Sequence, residues 1–437
     1  MAAATAMAQQ ISGGAPPGRR TLDSPSRLWL MLILAVAAIL AVGCVAGIGL
    51  AGRESTATHT DQSTEALYAE VQDLAYNLAD ANAAAATSLL VGAETPTQFS
   101  SRFNSDVTQA EDLLSAASQR VAADAYASTQ LSSLAEQIPV YTGLVGQAQA
   151  DNRFGYPVSG AYLREASALL TGPMLTETGN VVSEQQRATK SGIDSASSFD
   201  LVLLLVVLPV LWLLLMVGVR LARLTHRRIN LGLVGGALVV VLLLIWGLAA
   251  YGGASGHADS ARTDFGELSL EQGEISQLSL AETYVALQQI DRGEDQGADA
   301  KAAQTALRGS TPQLLYGTPD AASARSASSA ATAFSTCARS AITLASTGQY
   351  GAAITATVGD GSGGTPVGEG GCEPAAAKLR TDLTGLYKAA QARFDGDMSG
   401  LSGDYQGSGA LPVGIVVGLL GAAAAAYGVN RRLAEFR

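Results

Sequence analysis

Four long apolar runs interrupt an otherwise polar chain. The first holds 25 residues without a charge between Arg27 and Arg53, and the second covers Leu201 to Val219 between Asp200 and Arg220. The third, Leu231 to Tyr251, is continuously apolar or glycine, and the fourth covers Ala410 to Val429. About 20 apolar residues in a helix cross about 30 Å of hydrocarbon, so each run predicts a membrane-spanning helix. Between the runs the period changes. In "STEALYAEVQDLAYNLADANAAAATSLLVGAE" the residues Leu67, Val71, Leu74 and Leu78 fall three or four apart, which predicts a helix with one apolar face. Breakers at "VGAETP", around Gln137–Pro139 and at "NRFGYPVSG" divide the rest of that segment into further helices. The second long polar segment repeats the rhythm, with breaks at "DRGEDQG", "YGTPDA" and a glycine-rich stretch, and its last helix starts near Pro374.

The expected fold class is therefore an all-α membrane protein, with four transmembrane helices and two extracytoplasmic helical-bundle domains. The order of parts is a cytoplasmic N-terminal segment (1–27), transmembrane helix 1 (28–52), extracytoplasmic helical domain 1 (53–200), transmembrane helix 2 (201–219) and a basic cytoplasmic hairpin (220–230). Transmembrane helix 3 (231–251), extracytoplasmic helical domain 2 (252–409), transmembrane helix 4 (410–429) and a cytoplasmic tail (430–437) complete it. Up-and-down four-helix bundles suit such segments. The layout reads as an internal duplication: helix 1 and helix 3 begin 202 residues apart, near Leu28 and Asn230, and the same offset aligns "LADANAA" (78–84) with "LAETYVA" (280–286). The aligned stretches share Leu, Ala, an acid and a later Ala.

Charge orients this layout. The chain carries 27 basic against 38 acidic residues, yet Arg19, Arg20, Arg27, Arg220, Arg223, Arg227, Arg228, Arg431, Arg432 and Arg437 all lie in the three short pieces, with only Asp23 and Glu435 opposing them. Short basic segments stay in the cytoplasm, which places both termini and the hairpin inside and both long segments outside. Nucleic-acid or anionic-lipid contact would also use such a cluster, but topology is the simpler cause and no nucleic acid is expected. The first run resembles a lipoprotein signal, with a basic start and Cys44. It continues past Cys44 through Gly52, longer than a signal needs, so it reads as an uncleaved anchor. The localisation expected is a multi-pass protein of the plasma membrane.

Composition narrows the chemistry. Aromatic residues make up only 5% of the chain, so the bundle cores are slim and rich in alanine. Cys337 and Cys372 both lie in the second outer segment, where an oxidising compartment favours a disulfide over two free thiols. Gly359, Gly361 and Gly364 spell GxGxxG without a strand–helix context, and His59, His226 and His257 lie near span boundaries without catalytic partners. Acid pairs such as Glu111–Asp112 read as solvated faces. No enzyme, metal or cofactor is expected. The spans hold no Asp, Glu, Lys or Arg, which argues against a carrier. Instead Gly43–Gly47, Gly232–Gly236 and Gly414–Gly418 each spell GxxxG, a surface for close helix packing, and Pro209 marks a kink in helix 2.

What remains is a sensor, with a structural or cell-envelope scaffold as the alternative. The order of parts and the "RRLAEFR" end resemble the GlnX-type membrane proteins of actinobacteria. That resemblance implies a solute-binding lipoprotein (glutamine-binding-protein-like) as outer partner and a cytoplasmic serine/threonine kinase, protein kinase G, as inner partner, with amino-acid status as the signal. For contact with the inner partner the charge pattern nominates Arg223, Arg227 and Arg228 in the hairpin.

Overall fold

The computed structural model describes residues 24–92, 97–121, 124–198, 201–225, 231–290, 296–309, 321–360, 370–406 and 410–434. Among them every element is a helix: α1 (Ser24–His59), α2 (Ala66–Val91), α3 (Thr97–Arg120), α4 (Ala125–Arg153), α5 (Ser159–Leu169), α6 (Leu175–Ala196), α7 (Leu201–Thr225), α8 (Leu231–Ile290), α9 (Gln296–Gly309), α10 (Ala321–Ser346), α11 (Tyr350–Val358), α12 (Glu373–Gln406) and α13 (Ala410–Ala434). Single π-helical turns, Thr60–Glu65 and Leu170–Met174, join α1 to α2 and α5 to α6. Four helices are long and apolar enough to cross a membrane, lying in α1, α7, α8 and α13, with windows of mean hydropathy 2.7, 2.5, 2.6 and 1.8. The last value is lowest because half of the α13 window is Gly and Ala, a composition that trades hydropathy for close approach.

The chain divides into two compact units. The apolar unit comprises the described residues of Met1–Ala51, Phe199–Ala249 and Gly407–Arg437. Its core joins Ile39 and Val42 of α1, Val207 and Leu214 of α7, and Val240 and Leu243 of α8. The glycine stripes find partners here. A Cβ built on Gly43 would lie 2.5 Å from the Gly414 carbonyl oxygen, and one on Gly414 would lie 2.6 Å from the Gly43 oxygen and 3.1 Å from Gly47 Cα. Gly232 of α8 meets Gly428 and Ala424 farther along α13. Two GxxxG motifs thus seat against each other, and a third seats on the small-residue face of the same helix, bringing backbones together where the lipid supplies no hydrophobic drive. Pro209 lies within α7, which runs on to Thr225.

The polar unit gathers Gly52–Ser198 and Ala250–Gln406. The segments 53–200 and 252–409, read in the sequence as two bundles, therefore share one unit. The reason lies in α2. Its apolar face (Leu67, Val71, Leu74 and Leu78) is buried as the periodicity requires, but so is every residue from Asn77 to Leu89 on all sides of the helix. Alanines at 79, 81 and 83–86 let neighbours close in from every direction. The opposite side is covered by α8. Tyr68 packs on Phe265 with ring centroids 5.0 Å apart, and Phe265 packs on Phe394 of α12 at 5.5 Å. Gln272 Nε2 donates to Asp73 Oδ1 at 2.9 Å, Ser279 Oγ to Asp80 Oδ1 at 3.1 Å, and Asn82 Nδ2 to Thr283 Oγ1 at 3.4 Å. The paired numbers rise together, so α2 and α8 run parallel and each of these four residues of α2 meets one about 200 positions later, close to the offset that aligns the two stretches of sequence.

One expected breaker is not a break. Pro139 sits inside α4, which continues from Ala125 to Arg153. Pro139 and Ala135, whose carbonyl loses its helical donor, are both on the solvent face, where water replaces the missing bond. The start of α4 is set by Asp124, whose side chain accepts from the N–H groups of Tyr126 and Ala127.

Candidate functional site

The aligned acids of the two repeated stretches, Asp80 and Glu282, stand in the same buried cluster. Asp80 belongs to α2 and Glu282 to α8, and 4% and 8% of their surfaces are exposed. Two arginines tie them together. Arg102 of α3 grips Asp80 with both ends of its guanidinium, Nε–Oδ2 at 2.9 Å and Nη2–Oδ1 at 2.5 Å, and its Nη2 also lies 3.3 Å from Glu282 Oε2. Arg380 of α12 donates from Nη2 to Glu282 Oε2 at 2.7 Å and places Nε 3.4 Å from Asp80 Oδ1. Each half of the polar unit thus sends an arginine to the other half's acid. The planar forked guanidinium suits this bridging in a way a lysine would not.

Two more carboxyls flank the pair. Glu373, in the first turn of α12, lies 3.7 Å from Arg102 Nη1, and Asp106, one turn beyond Arg102 on α3, is in hydrogen-bond contact with Asp80. Burial works to raise Asp80, but the charges of Arg380 and Arg102 outweigh it and hold the group at about 2. Asp106 goes the other way, pushed up to about 7 by burial and then by the charge of Asp80. Burial, followed by the charge of Glu282, pushes Glu373 up to about 7 as well. A small cavity of about 20 Å³, with Thr87, Glu282, Phe334, Cys372 and Glu373 in its lining, lies beside the cluster and has room for about one water.

The expected cysteine pair shapes this corner. Cys337 of α10 and Cys372 are joined, with S–S 2.07 Å and Cα–Cα 5.6 Å. Gly371, at φ +61°, makes the turn before Cys372; a Cβ there would stand 2.5 Å from the Ala356 carbonyl oxygen. The clip therefore fixes the chain immediately before Glu373 and the helix that carries Arg380. Asn82, two residues after Asp80 and so on the other side of α2, supplies a second polar lock: its Oδ1 accepts from Ser167 Oγ at 3.1 Å and Tyr141 Oη at 3.4 Å.

The other residues singled out in the sequence lie elsewhere. Arg223 is exposed in the last turn of α7, in the apolar unit; Arg227 and Arg228 lie outside the described residues, as do His226, Gly361 and Gly364. His59 ends α1, and Glu111 and Asp112 are exposed. His257 does have an acidic neighbour, Asp397 Oδ1 at 3.3 Å from Nδ1, beside an open groove of about 720 Å³ where Arg393 pairs with Asp264 and Glu267. Among the described residues no three His, Cys, Asp or Glu side chains are grouped to hold a metal ion. Arg102 and Arg380 escaped sequence reasoning. Their only signal was indirect, an acid repeated at the same place in two stretches rich in alanine, which needs a buried cation from somewhere in the fold.

No curated protein and no solved structure matches the chain. Residues 56–194 match the family model of the actinobacterial sensor domain, a span that includes Asp80, Arg102 and Asp106 but neither Glu282 nor Arg380. This match supports an actinobacterial sensor-type protein with a sensing role.

Proposed function

We propose that the protein is a non-enzymatic membrane signalling protein that relays extracytoplasmic amino-acid status to a cytoplasmic serine/threonine kinase, with a solute-binding lipoprotein as its outer partner. The observation that carries this reading is the cross-bridged cluster. Asp80, Glu282, Arg102 and Arg380 hold both halves of the polar unit in one arrangement, and the helix that carries Glu282, α8, runs unbroken from the apolar stretch that starts at Leu231. Packed helices shift by an ångström or two between discrete arrangements, so a partner that favours a second arrangement of the cluster has a mechanical route along α8. The sensor-domain match over residues 56–194 supports the sensing part of this reading, and the resemblance to GlnX-type proteins supplies the partners.

In this reading the arginine-rich hairpin is inside and captures an acidic surface of the kinase, each exposed pair contributing only about 0–1 kcal/mol, so that several act together. Replacing Arg223, Arg227 and Arg228 with Gln, while Arg220 keeps the orientation, weakens kinase recruitment and downstream phosphorylation. Sidedness is checked first: a cysteine introduced at Ser132 or Ser328 reacts with an impermeant maleimide in intact cells, and one at Thr225 reacts only after lysis. Full recruitment by a correctly oriented triple variant would remove the hairpin from the mechanism. Normal signalling in cells lacking the lipoprotein would remove that partner, and normal signalling in cells lacking this protein would favour the scaffold reading.

A further inference from the structure

The geometry points to a proton-binding latch in the cluster between the two halves of the polar unit: one proton is shared between Asp80 and Asp106 and a second sits on Glu373, and their release lets go of the contacts that Arg102 and Arg380 make between the halves. This inference stands independently of the partners proposed above.

The argument begins with a count. Four carboxyls, on Asp80, Asp106, Glu282 and Glu373, face two guanidiniums, those of Arg102 and Arg380. The remaining titratable groups that face them are Tyr76 of α2 and Tyr141 of α4, both pushed upward by burial and so neutral. Among the described residues, then, two negative charges lack compensation when every acid is ionised. Buried charge without a partner is costly, and a group in that position takes up a proton instead. Contact geometry says where. Asp80 and Asp106 meet carboxyl to carboxyl, and two ionised carboxylates offer only acceptors, so the contact is a hydrogen bond only when one of them carries a proton. Asp80 is already committed to Arg102, Arg380 and Ser279, which leaves the proton on Asp106. No donor reaches Asp106 Oδ2 or Glu282 Oε1, both fully buried atoms.

Glu373 faces the same difficulty on the other side. Among the described residues its one ion-pair contact, Arg102 Nη1 at 3.7 Å, is long, and both that guanidinium and the more distant Arg380 are already spent on Asp80 and Glu282. The disulfide at Cys372 fixes the backbone next to Glu373, whose side chain stays about three-quarters covered at 23% exposure. Protonated, Glu373 is a neutral neighbour of Glu282 beside the small cavity; ionised, it repels Glu282 across it. Burial pushes both Asp106 and Glu373 up to about 7, in agreement with the count. Because α3 carries Asp106 and α12 carries Glu373, ionisation drives α3 from α2 and α12 from α8, and the bridging arginines lose their fixed geometry.

The test uses the full chain in lipid nanodiscs, with Asp106→Asn, Glu373→Gln and the double variant as neutral mimics of the protonated side chains. Between about pH 5 and about pH 8 the wild-type polar unit loses melting temperature, and hydrogen exchange at the start of α12 speeds up. In the double variant most of that pH-dependent fall disappears and exchange stays slow; what remains belongs to Glu65 and to Asp61, Asp73, Asp264 and Asp395, which burial also raises, and adding Glu65→Gln reduces it further. A double variant whose melting temperature falls as steeply as wild type overturns the latch. Should the double variant fail to fold, infrared spectra of the wild type and Asp106→Asn decide. The protonated-carboxyl band present at about pH 5 loses intensity in Asp106→Asn if the shared proton is real, and an unchanged band refutes it.

Discussion

The two units of this molecule solve the same packing problem with opposite chemistry. Both contain helices rich in small side chains, α13 in the apolar unit and α2 in the polar one, which leave little apolar volume to interlock at their seams. At the α1–α13 seam of the apolar unit the answer is to remove side chains altogether: Gly43 and Gly414 approach so closely that a Cβ on either would strike the other's backbone. In the polar unit the answer is charge. The alanine-walled helix α2 meets α8 through Gln272–Asp73, Ser279–Asp80 and Asn82–Thr283, and the Arg102 and Arg380 bridges finish the seam. The difference follows from solvent. In hydrocarbon an ion pair has no water to which its open state can return, and dispersion between close backbones is the available glue. In an aqueous unit, buried ion pairs gain specificity more than net stability, because forming them costs desolvation that mere apolar contact would not. A glycine stripe has one good arrangement; a charge cluster with spare acids has two, according to its protons.

The comparison breaks most readily at Arg102. Replacing it with Met leaves Asp80 and Glu282 buried with half their cationic cover, and unfolding monitored by denaturant should show a loss of about 3–5 kcal/mol confined to the polar unit. Removing the clip comes next. Changing Cys337 and Cys372 to Ala frees a 35-residue separation and should cost about 2–4 kcal/mol, with the start of α12 the first region to gain hydrogen exchange. Glu65, on the π-helical turn before α2, tests whether other buried acids share the pH response. Burial, then Asp395, Asp61 and Asp73, push it up to about 7, above its unfolded value. Its favourable contribution is therefore complete below the ordinary glutamate range and is lost as pH rises through about 7, so Glu65→Gln should stabilise the protein on the alkaline side by about 2 kcal/mol and change little in acid.

Two glycines sharpen the other half of the comparison. Gly414→Leu forces α13 away from α1 and should lower resistance to SDS unfolding by about 1–3 kcal/mol, leaving the pH dependence of the polar unit intact. Gly143, on the exposed face of α4 with nothing within 4 Å of a built Cβ, should do the reverse: Gly143→Ala stabilises by about 0.5–1 kcal/mol. Equal effects at the two positions would mean that close approach is not what the stripes provide.

Residue by residue, the reach of the sequence is clear. The four apolar runs, the glycine spacing and the face formed by Leu67, Val71, Leu74 and Leu78 were legible because each depends on neighbours within a few turns of one helix. The repeated acid was legible too, as Asp80 and Glu282 at an offset of 202. Pro139 was misread as a breaker, because only the finished packing shows that its side of α4 faces water. Which residues supply the site's cations was not legible. Arg102 lies 22 residues from Asp80, and Arg380 lies 98 from Glu282. No local periodicity links such pairs.

By itself the sequence determined the helical class, the four long apolar segments and the closeness of their packing, since hydrophobic length and residue size act along a single helix whatever surrounds it. Only the tertiary structure decided that the two polar segments share one core, that Asp80 and Glu282 meet across it, and that two arginines answer four acids there. The balance of a buried cluster depends on how many charges arrive at one place from distant parts of the chain, and arrival is a property of packing rather than of order.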